Sequence, residues 1–156
     1  MANKKIVTLD DLLTMIGKPF WRGAKIIFTN GCFDILHVGH LHLFREAKLG
    51  GGILIVGLNG DDSVKRLKGR NKPIVPELER AEILANLELV DYVIIFDEDT
   101  PEYLIRQINP DVLVKGAEYG EGKIVGEEFV VDNGGKVIRV PMLPEHSTSN
   151  LIEKMR

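Results

Sequence analysis

Ile26-Ile27-Phe28-Thr29-Asn30-Gly31-Cys32-Phe33-Asp34-Ile35-Leu36-His37-Val38-Gly39-His40 is a short β-rich run, a turn and the start of a helix, in that order. The same alternation repeats outward from it. A helical pattern over about Gly39 to Leu49 leads to a second apolar run, Ile53-Leu54-Ile55-Val56, then a short helix after Asn59 and a basic loop. Pro76 opens a further helix to about Leu89, with Leu78, Ile83, Leu84 and Leu87 on one side. Tyr92 to Phe96 reads as the third strand, Asp111-Val112-Leu113-Val114 as the fourth and Lys136 to Val140 as the fifth. Thr100 and Pro101 form a helix start between the third and fourth, and a last helix follows Ser147. The strands are continuously apolar, the mark of parallel strands covered on both faces. Strands alternating with helices make right-handed βαβ units and a doubly wound α/β sheet. Ligands of such sheets bind beyond the carboxyl ends of the strands, so chemistry is expected in the loops after Thr29, Asn59, Lys115 and Val140.

The chain has 156 residues, enough for one domain with a core of its own. We read residues 1–156 as that single domain, with residues 1–22 an amphipathic helix on its outside, capped by Thr8. The chain is 44% hydrophobic and 28% charged, which excludes a disordered or fibrous protein. A net charge of −3 argues against a general nucleic-acid binder. The single cysteine, Cys32, excludes an internal disulfide and suits a reducing compartment. No apolar run approaches the ~20 residues of a membrane-spanning helix, and a cytoplasmic protein is expected.

Two common nucleotide-binding patterns fail. The first turn holds one glycine, Gly31, where a dinucleotide fingerprint needs three. A P-loop ending at Gly122-Lys123 would have Ala117 for its first glycine and Ile124 for its hydroxyl residue. The first strand and its turn lead instead into His37-Val38-Gly39-His40. Two imidazoles three residues apart share one side of a first helical turn. Gly39 lets a ligand approach the backbone, and the helix start favours an anion. Both rings can donate to a phosphoryl oxygen as its charge rises. The competing readings are a core histidine beside a surface one, or a zinc pair completed by His146. His42 points away from this side. Lys65, Arg66, Lys68, Arg70 and Lys72 form a basic tract that is either solvated surface or a phosphate-binding edge. Ser147-Thr148-Ser149-Asn150 is a helix N-cap, an anion site, or both. Glu118, after Lys115-Gly116-Ala117, either accepts from ribose hydroxyls or is a surface acid in a turn.

The segment Gly31 to His40 resembles the H-x-G-H nucleotidyltransferases, in their cytidylyltransferase-like branch. Thr29 to Asp34, Ser63-Val64-Lys65-Arg66-Leu67-Lys68-Gly69, Asp99-Thr100-Pro101, Leu113-Val114-Lys115-Gly116 and Ser147 to Asn150 are most similar to the adenylyltransferases that make ADP-heptose from D-glycero-β-D-manno-heptose 1-phosphate, for lipopolysaccharide core synthesis. The resemblance implies a Rossmann-like five-stranded parallel sheet of order 3-2-1-4-5, and a stand-alone form without the sugar kinase to which this activity is often fused. It implies transfer of AMP from ATP by direct displacement, with His37, His40 and Lys65 as catalytic residues. Asn30, Gly31, Cys32, Phe33, Gly39, His40, Gly116, Glu118, Met142, Ser147, Thr148 and Ser149 would bind nucleotide, and Asp34, Lys65 and Lys68 the sugar phosphate. Lys72 sits where relatives often carry Arg, and Met142 where glycerol-3-phosphate cytidylyltransferases do. Mg²⁺ is implied on the ATP phosphates with no protein ligand named, and a homo-oligomer is implied as the assembly. The alternatives are a glycerol-3-phosphate-type cytidylyltransferase, a non-catalytic nucleotide-binding module, and a hydrolase using Cys32 as nucleophile, which direct displacement disfavours.

Overall fold

The computed structural model describes residues 3–116, 123–143 and 147–156. Five parallel strands, β1 (Ile26–Gly31), β2 (Ile53–Asn59), β3 (Tyr92–Phe96), β4 (Val112–Gly116) and β5 (Lys136–Val140), form one sheet of order β3-β2-β1-β4-β5. Helices α1 (Leu9–Ile16), α2 (Val38–Lys48), α3 (Asp61–Lys68), α4 (Glu77–Ala85), α5 (Glu102–Ile108), α6 (Glu127–Asp132) and α7 (Thr148–Lys154) accompany it. Two apolar clusters cover its two faces. One gathers Ile27, Leu54, Val56 and Val114 with Phe44 of α2 and Leu84 of α4; the other gathers Phe28, Ile55 and Leu113 with Leu12 of α1 and Leu104 and Ile105 of α5. This doubly covered, doubly wound sheet is the architecture expected from the unbroken apolar runs.

The strand order reverses between β1 and β4, and there the sheet opens. Those two strands pair only at Ile27↔Val112 and Phe28↔Leu113, although β1 runs on to Gly31 and β4 to Gly116. Thr29, fully buried, spans the parting strands by donating its hydroxyl to the Val114 carbonyl at 2.8 Å. A crevice therefore forms beyond the carboxyl ends at the switch point, as doubly wound sheets provide.

Several local expectations are corrected. The helix read over residues 1–22 is only Leu9–Ile16. Thr8 caps it, accepting from the Asp11 N–H, but Gly17 and Pro19 end it in a 3₁₀ turn at Pro19–Trp21. Nor is the segment peripheral. Val7 donates to the Val93 carbonyl, Val93 donates to that of Lys5, and Leu12 and Trp21 are core residues. The basic tract begins on a helix, with Lys65, Arg66 and Lys68 in the last turn of α3, where cations face the negative end of its dipole. Pro76 and Pro101 precede α4 and α5 as cap residues, and Thr100 caps nothing. The buried side of α4 is Arg80, Ala81, Leu84 and Ala85, whereas Leu78 and Ile83 face solvent.

Candidate active site at the mouth of the β1/β4 crevice

The two histidines fold back on the start of α2. His37 is its N-cap residue, in extended conformation, and its Nδ1 accepts from the Gly39 N–H at 3.1 Å. His40 returns the interaction, its Nδ1 accepting from the His37 N–H at 3.3 Å. The rings stack with centroids 3.9 Å apart. Serine or threonine with glutamate ordinarily forms such a reciprocal cap; here two imidazoles do it. Because both Nδ1 atoms are acceptors, each neutral ring carries its proton on Nε2. Burial, assisted by the neighbouring His37, lowers the His40 pKa to about 4, so at neutral pH this ring is an uncharged Nε2–H donor. The Gly39 N–H expected to meet a phosphate is occupied by the His37 ring; the motif presents imidazole in its place.

Phe33 sets the other wall. Its ring meets His40 edge-on at 5.2 Å and Phe44 at 5.5 Å, and its backbone takes a left-handed φ of 44°. Such a conformation costs an ordinary residue of order 1–3 kcal/mol and concentrates at working sites. Gly31 accommodates it, since a Cβ there would lie 3.1 Å from the Phe33 ring.

Three cavities converge on Cys32. One, of about 200 Å³, is lined by Cys32, Phe33, Asp34, His40, Lys68, Lys72, Thr148 and Ser149, among others. A second joins His40 and Gly39 to Asn30, Gly31, Lys115, Gly116 and Met142. There Gly116 admits Met142, whose Sδ would be 2.8 Å from a Cβ. The third lies between α3 and the β3–α5 loop. The thiol of Cys32 lies at their meeting point. Burial raises its pKa, and the opposing positive charges of Lys68, Arg80 and Lys115 do not cancel that rise.

Not every expected residue reaches the crevice. Lys65 is exposed and lines none of these cavities, because Ser63 and Val64 are the buried side of α3 and Lys68, four residues beyond Val64, shares their face. Asp34 lines the first cavity, but its carboxylate accepts from the Ile74 and Val75 N–H groups at 2.8–3.0 Å, making it a strap between loops. Arg66 is turned outward to the Asp99 carboxylate and the Asp97 carbonyl. Ser147 caps α7 by accepting from the Asn150 N–H, and Thr148 donates to the Ile35 carbonyl, docking α7 against the loop that carries the histidines. His37 contributes through its stack on His40 and is not itself a lining residue of these cavities. Glu118 and His146 lie outside the described residues. Among the described residues, no group of three His, Cys, Asp or Glu side chains is placed to hold a metal ion.

One organising residue escaped the sequence reading. Arg80 has a fully buried side chain whose Nη1 donates to the Cys32 and Asn59 carbonyls at 2.7 and 2.8 Å. Its Nε donates to the Val75 carbonyl and its Nη2 to the Asp61 carboxylate, both at 2.8 Å. It ties the ends of β1 and β2 to α3 and α4. The one available signal was its place beside Ala81 and four residues before Leu84, on the side of α4 that is buried. The Lys115 Nζ also donates to the Asn30 carbonyl at 3.1 Å, across the open end of β1 and β4.

The comparisons agree with this geometry. The cytidylyltransferase-like family model matches residues 28–153. A bifunctional protein HldE from Geotalea uraniireducens (strain Rf4) is 49% identical over 155 residues, 99% of this chain and 32% of that protein. One of the same name from Rhodopseudomonas palustris (strain BisA53) is 54% identical over 154 residues, 98% of this chain and 31% of that protein. The chain thus spans about a third of the length of these relatives. Among solved structures, the lipopolysaccharide core biosynthesis protein from Thermoplasma volcanium GSS1 superposes with a TM-score of 0.63 and 28% identity, over 78% of this chain and 98% of that one. The match runs from the first strand through the stacked histidines to the last helix, and the chain belongs to the cytidylyltransferase-like family.

Proposed function

We propose that this chain transfers AMP from ATP to D-glycero-β-D-manno-heptose 1-phosphate, releasing pyrophosphate and forming ADP-heptose. The observation that carries the transfer chemistry is the neutral, Nδ1-anchored His40 at the junction of cavities that also expose Lys68, Thr148 and Ser149. A phosphate oxygen of the acceptor attacks the α-phosphorus. The new P–O bond forms as the bond to the β-phosphate bridging oxygen breaks, and pyrophosphate carries away the electron pair. No proton need move and no covalent enzyme intermediate forms. Protein groups contribute alignment and charge stabilisation. His40, with His37 stacked on it, donates to phosphoryl oxygens whose charge grows in the transition state, and Lys68 adds positive charge beside it. Ser149, at the start of α7, holds the departing phosphates, while Thr148 docks that turn against the loop that carries the histidines.

Mg²⁺ would arrive bound to ATP and would supply positive charge against the triphosphate. Among the described residues, the acids around the crevice do not suit a protein cage for it: Asp34 accepts from two backbone N–H groups, Asp61 pairs with Arg80 and Asp99 with Arg66. The metal would be held by phosphate oxygens and water. Adenine is favoured over cytosine because Met142 lines the nucleotide cavity where the glycerol-3-phosphate cytidylyltransferases carry Arg. The heptose acceptor is supported by the motif resemblance and by the lipopolysaccharide core neighbour. Among the described residues no helix is long and apolar enough to cross a membrane, and Cys32 is a free thiol; with ATP as substrate, this favours the cytoplasm as the setting. We also read the assembly as a homo-oligomer. The test is pyrophosphate release from ATP, CTP, GTP and UTP, each with heptose 1-phosphate. ATP is expected to give the highest kcat/KM; a higher value with CTP would reject the adenylyl assignment.

A further inference from the structure

We infer that the third cavity reads the sugar of the acceptor, with Asp99, Thr100 and Lys123 setting its specificity; this rests on the transfer proposed above. The cavity has a volume of about 230 Å³ and lies between the end of α3, the β3–α5 loop and the segment before α6. It shares Cys32 and Lys68 with the cavity of Thr148 and Ser149, and Cys32 and Lys115 with that of His40 and Met142. An in-line displacement needs the attacking and leaving oxygens on opposite sides of one phosphorus. With the triphosphate along His40, Thr148 and Ser149, the third cavity is the compartment left for the attacking group.

Its lining combines two kinds of group. Lys68 and Lys115 bring positive charge near Cys32, matching the phosphate of the acceptor. With them stand groups that suit hydroxyls. The Asn59 amide nitrogen donates to Ser63 Oγ at 3.0 Å, which leaves the amide oxygen as the acceptor it can offer a ligand. Asp99 is gripped through Oδ1 by Arg66 Nε at 2.7 Å, and Arg66 also donates to the Asp97 carbonyl. That contact engages Oδ1 and leaves Oδ2 as an acceptor for a sugar hydroxyl. Thr100 adds a hydroxyl on the same loop, and Lys123 adds donors from the facing segment. Pro101 and Ile124 supply apolar surface for the C–H face of a ring. A phosphorylated polyhydroxy ring matches this set of groups; a short phospho-alcohol would leave several of them unmet, and a site built to hydrogen-bond hydroxyls discriminates strongly against ligands that lack them.

The test uses Thr100→Val and Lys123→Ala, both at exposed loop positions, with steady-state kinetics for ATP and for heptose 1-phosphate. Each variant is expected to raise the acceptor KM at least tenfold while the ATP KM stays within twofold. The preference of Thr100→Val for heptose 1-phosphate over glycerol 3-phosphate is expected to shrink by a similar factor. Acceptor KM values within twofold of the parent in both variants, or ATP KM values that rise as much as the acceptor's, would overturn the assignment and leave the transfer reading standing. A parent protein that releases no pyrophosphate with any sugar 1-phosphate would overturn both.

Discussion

Replacing Arg80 by alanine should loosen the whole rim of the crevice at once. The side chain is fully buried and donates to three carbonyls and one carboxylate, contributed by β1's trailing loop, β2, the loop before α4 and the start of α3. Each hydrogen bond from a charged donor is worth about 1.5–3 kcal/mol. They do not simply add, because the Cys32 and Val75 carbonyls can turn toward water once released. The Asn59 carbonyl sits at a buried residue and has less scope for that. Removing one partner of a fully buried ion pair generally costs about 3–5 kcal/mol; the Asp61 side chain is 31% exposed and can rehydrate, so we expect Arg80→Ala at the lower end, about 3 kcal/mol. Against a typical domain stability of about 5–15 kcal/mol, this leaves a folded but weakened protein. The Cys32 carbonyl also anchors the residue before Phe33, so losing Arg80 relaxes the left-handed turn beneath His40. kcat should therefore fall further than the ATP KM rises. Arg80→Lys keeps the charge but not the planar fork, and should recover under half of the lost stability. Urea denaturation followed by circular dichroism gives the stability, and pyrophosphate release gives the kinetics. A loss below about 1 kcal/mol with kcat unchanged would refute the role assigned to this residue.

Cys32→Ala should keep most of the parent kcat, and thiol alkylation at neutral pH should be slow because burial holds the thiol in its protonated form; complete loss of activity in folded Cys32→Ala protein would restore the thiol as a nucleophile. The pH dependence of stability should carry the mark of His40. Its pKa is about 4 in the folded chain against about 6.5 unfolded, so the unfolded state binds more protons between those values. Stability present above pH ~6.5 is then lost as pH falls toward 4. Denaturation midpoints of the parent and of His40→Asn, measured across that window, should diverge, the parent being the steeper; parallel curves would contradict a neutral buried imidazole.

The parts of the fold that could be read in sequence are those where one local pattern dominates. β3 and β5 fall where their apolar runs place them, at Tyr92–Phe96 and Lys136–Val140. β1, β2 and β4 extend further, into Asn30-Gly31, Gly57-Leu58-Asn59 and Lys115-Gly116, because the parallel ladders continue past the last β-branched residue. α6 gave no sequence signal: it has six residues, no side-chain cap, and starts after a left-handed Gly126. α4 misled for a different reason. Its buried side includes a cation, acceptable only because the ends of two strands supply carbonyls to it, and those acceptors are distant in sequence. The same distance hid the use of Asp34, whose partners Ile74 and Val75 lie 40 and 41 residues away. The histidine pair was legible because three-residue spacing at a strand-to-helix turn already brings the rings together. Their reciprocal Nδ1 caps, which decide the tautomer, depend on the extended backbone of His37 and appear only in the fold.

The central claim is that His40, held in place by the His37 ring stacked on it, stabilises charge during nucleotidyl transfer. Its most direct test is kcat for pyrophosphate release from ATP and heptose 1-phosphate in His37→Ala and His40→Ala, in protein shown to be folded by circular dichroism. His42→Ala, from a side of α2 that lines none of the three cavities, is the control. Loss of one donor from a charge-stabilising site typically lowers kcat by ~10²–10³, about 2.7–4 kcal/mol. We expect losses of that order for His40→Ala and His37→Ala, a smaller rise in the ATP KM, and a double variant less impaired than the product of the two. Near-parental kcat in both folded single variants would contradict the account and leave a nucleotide-binding module without this chemistry.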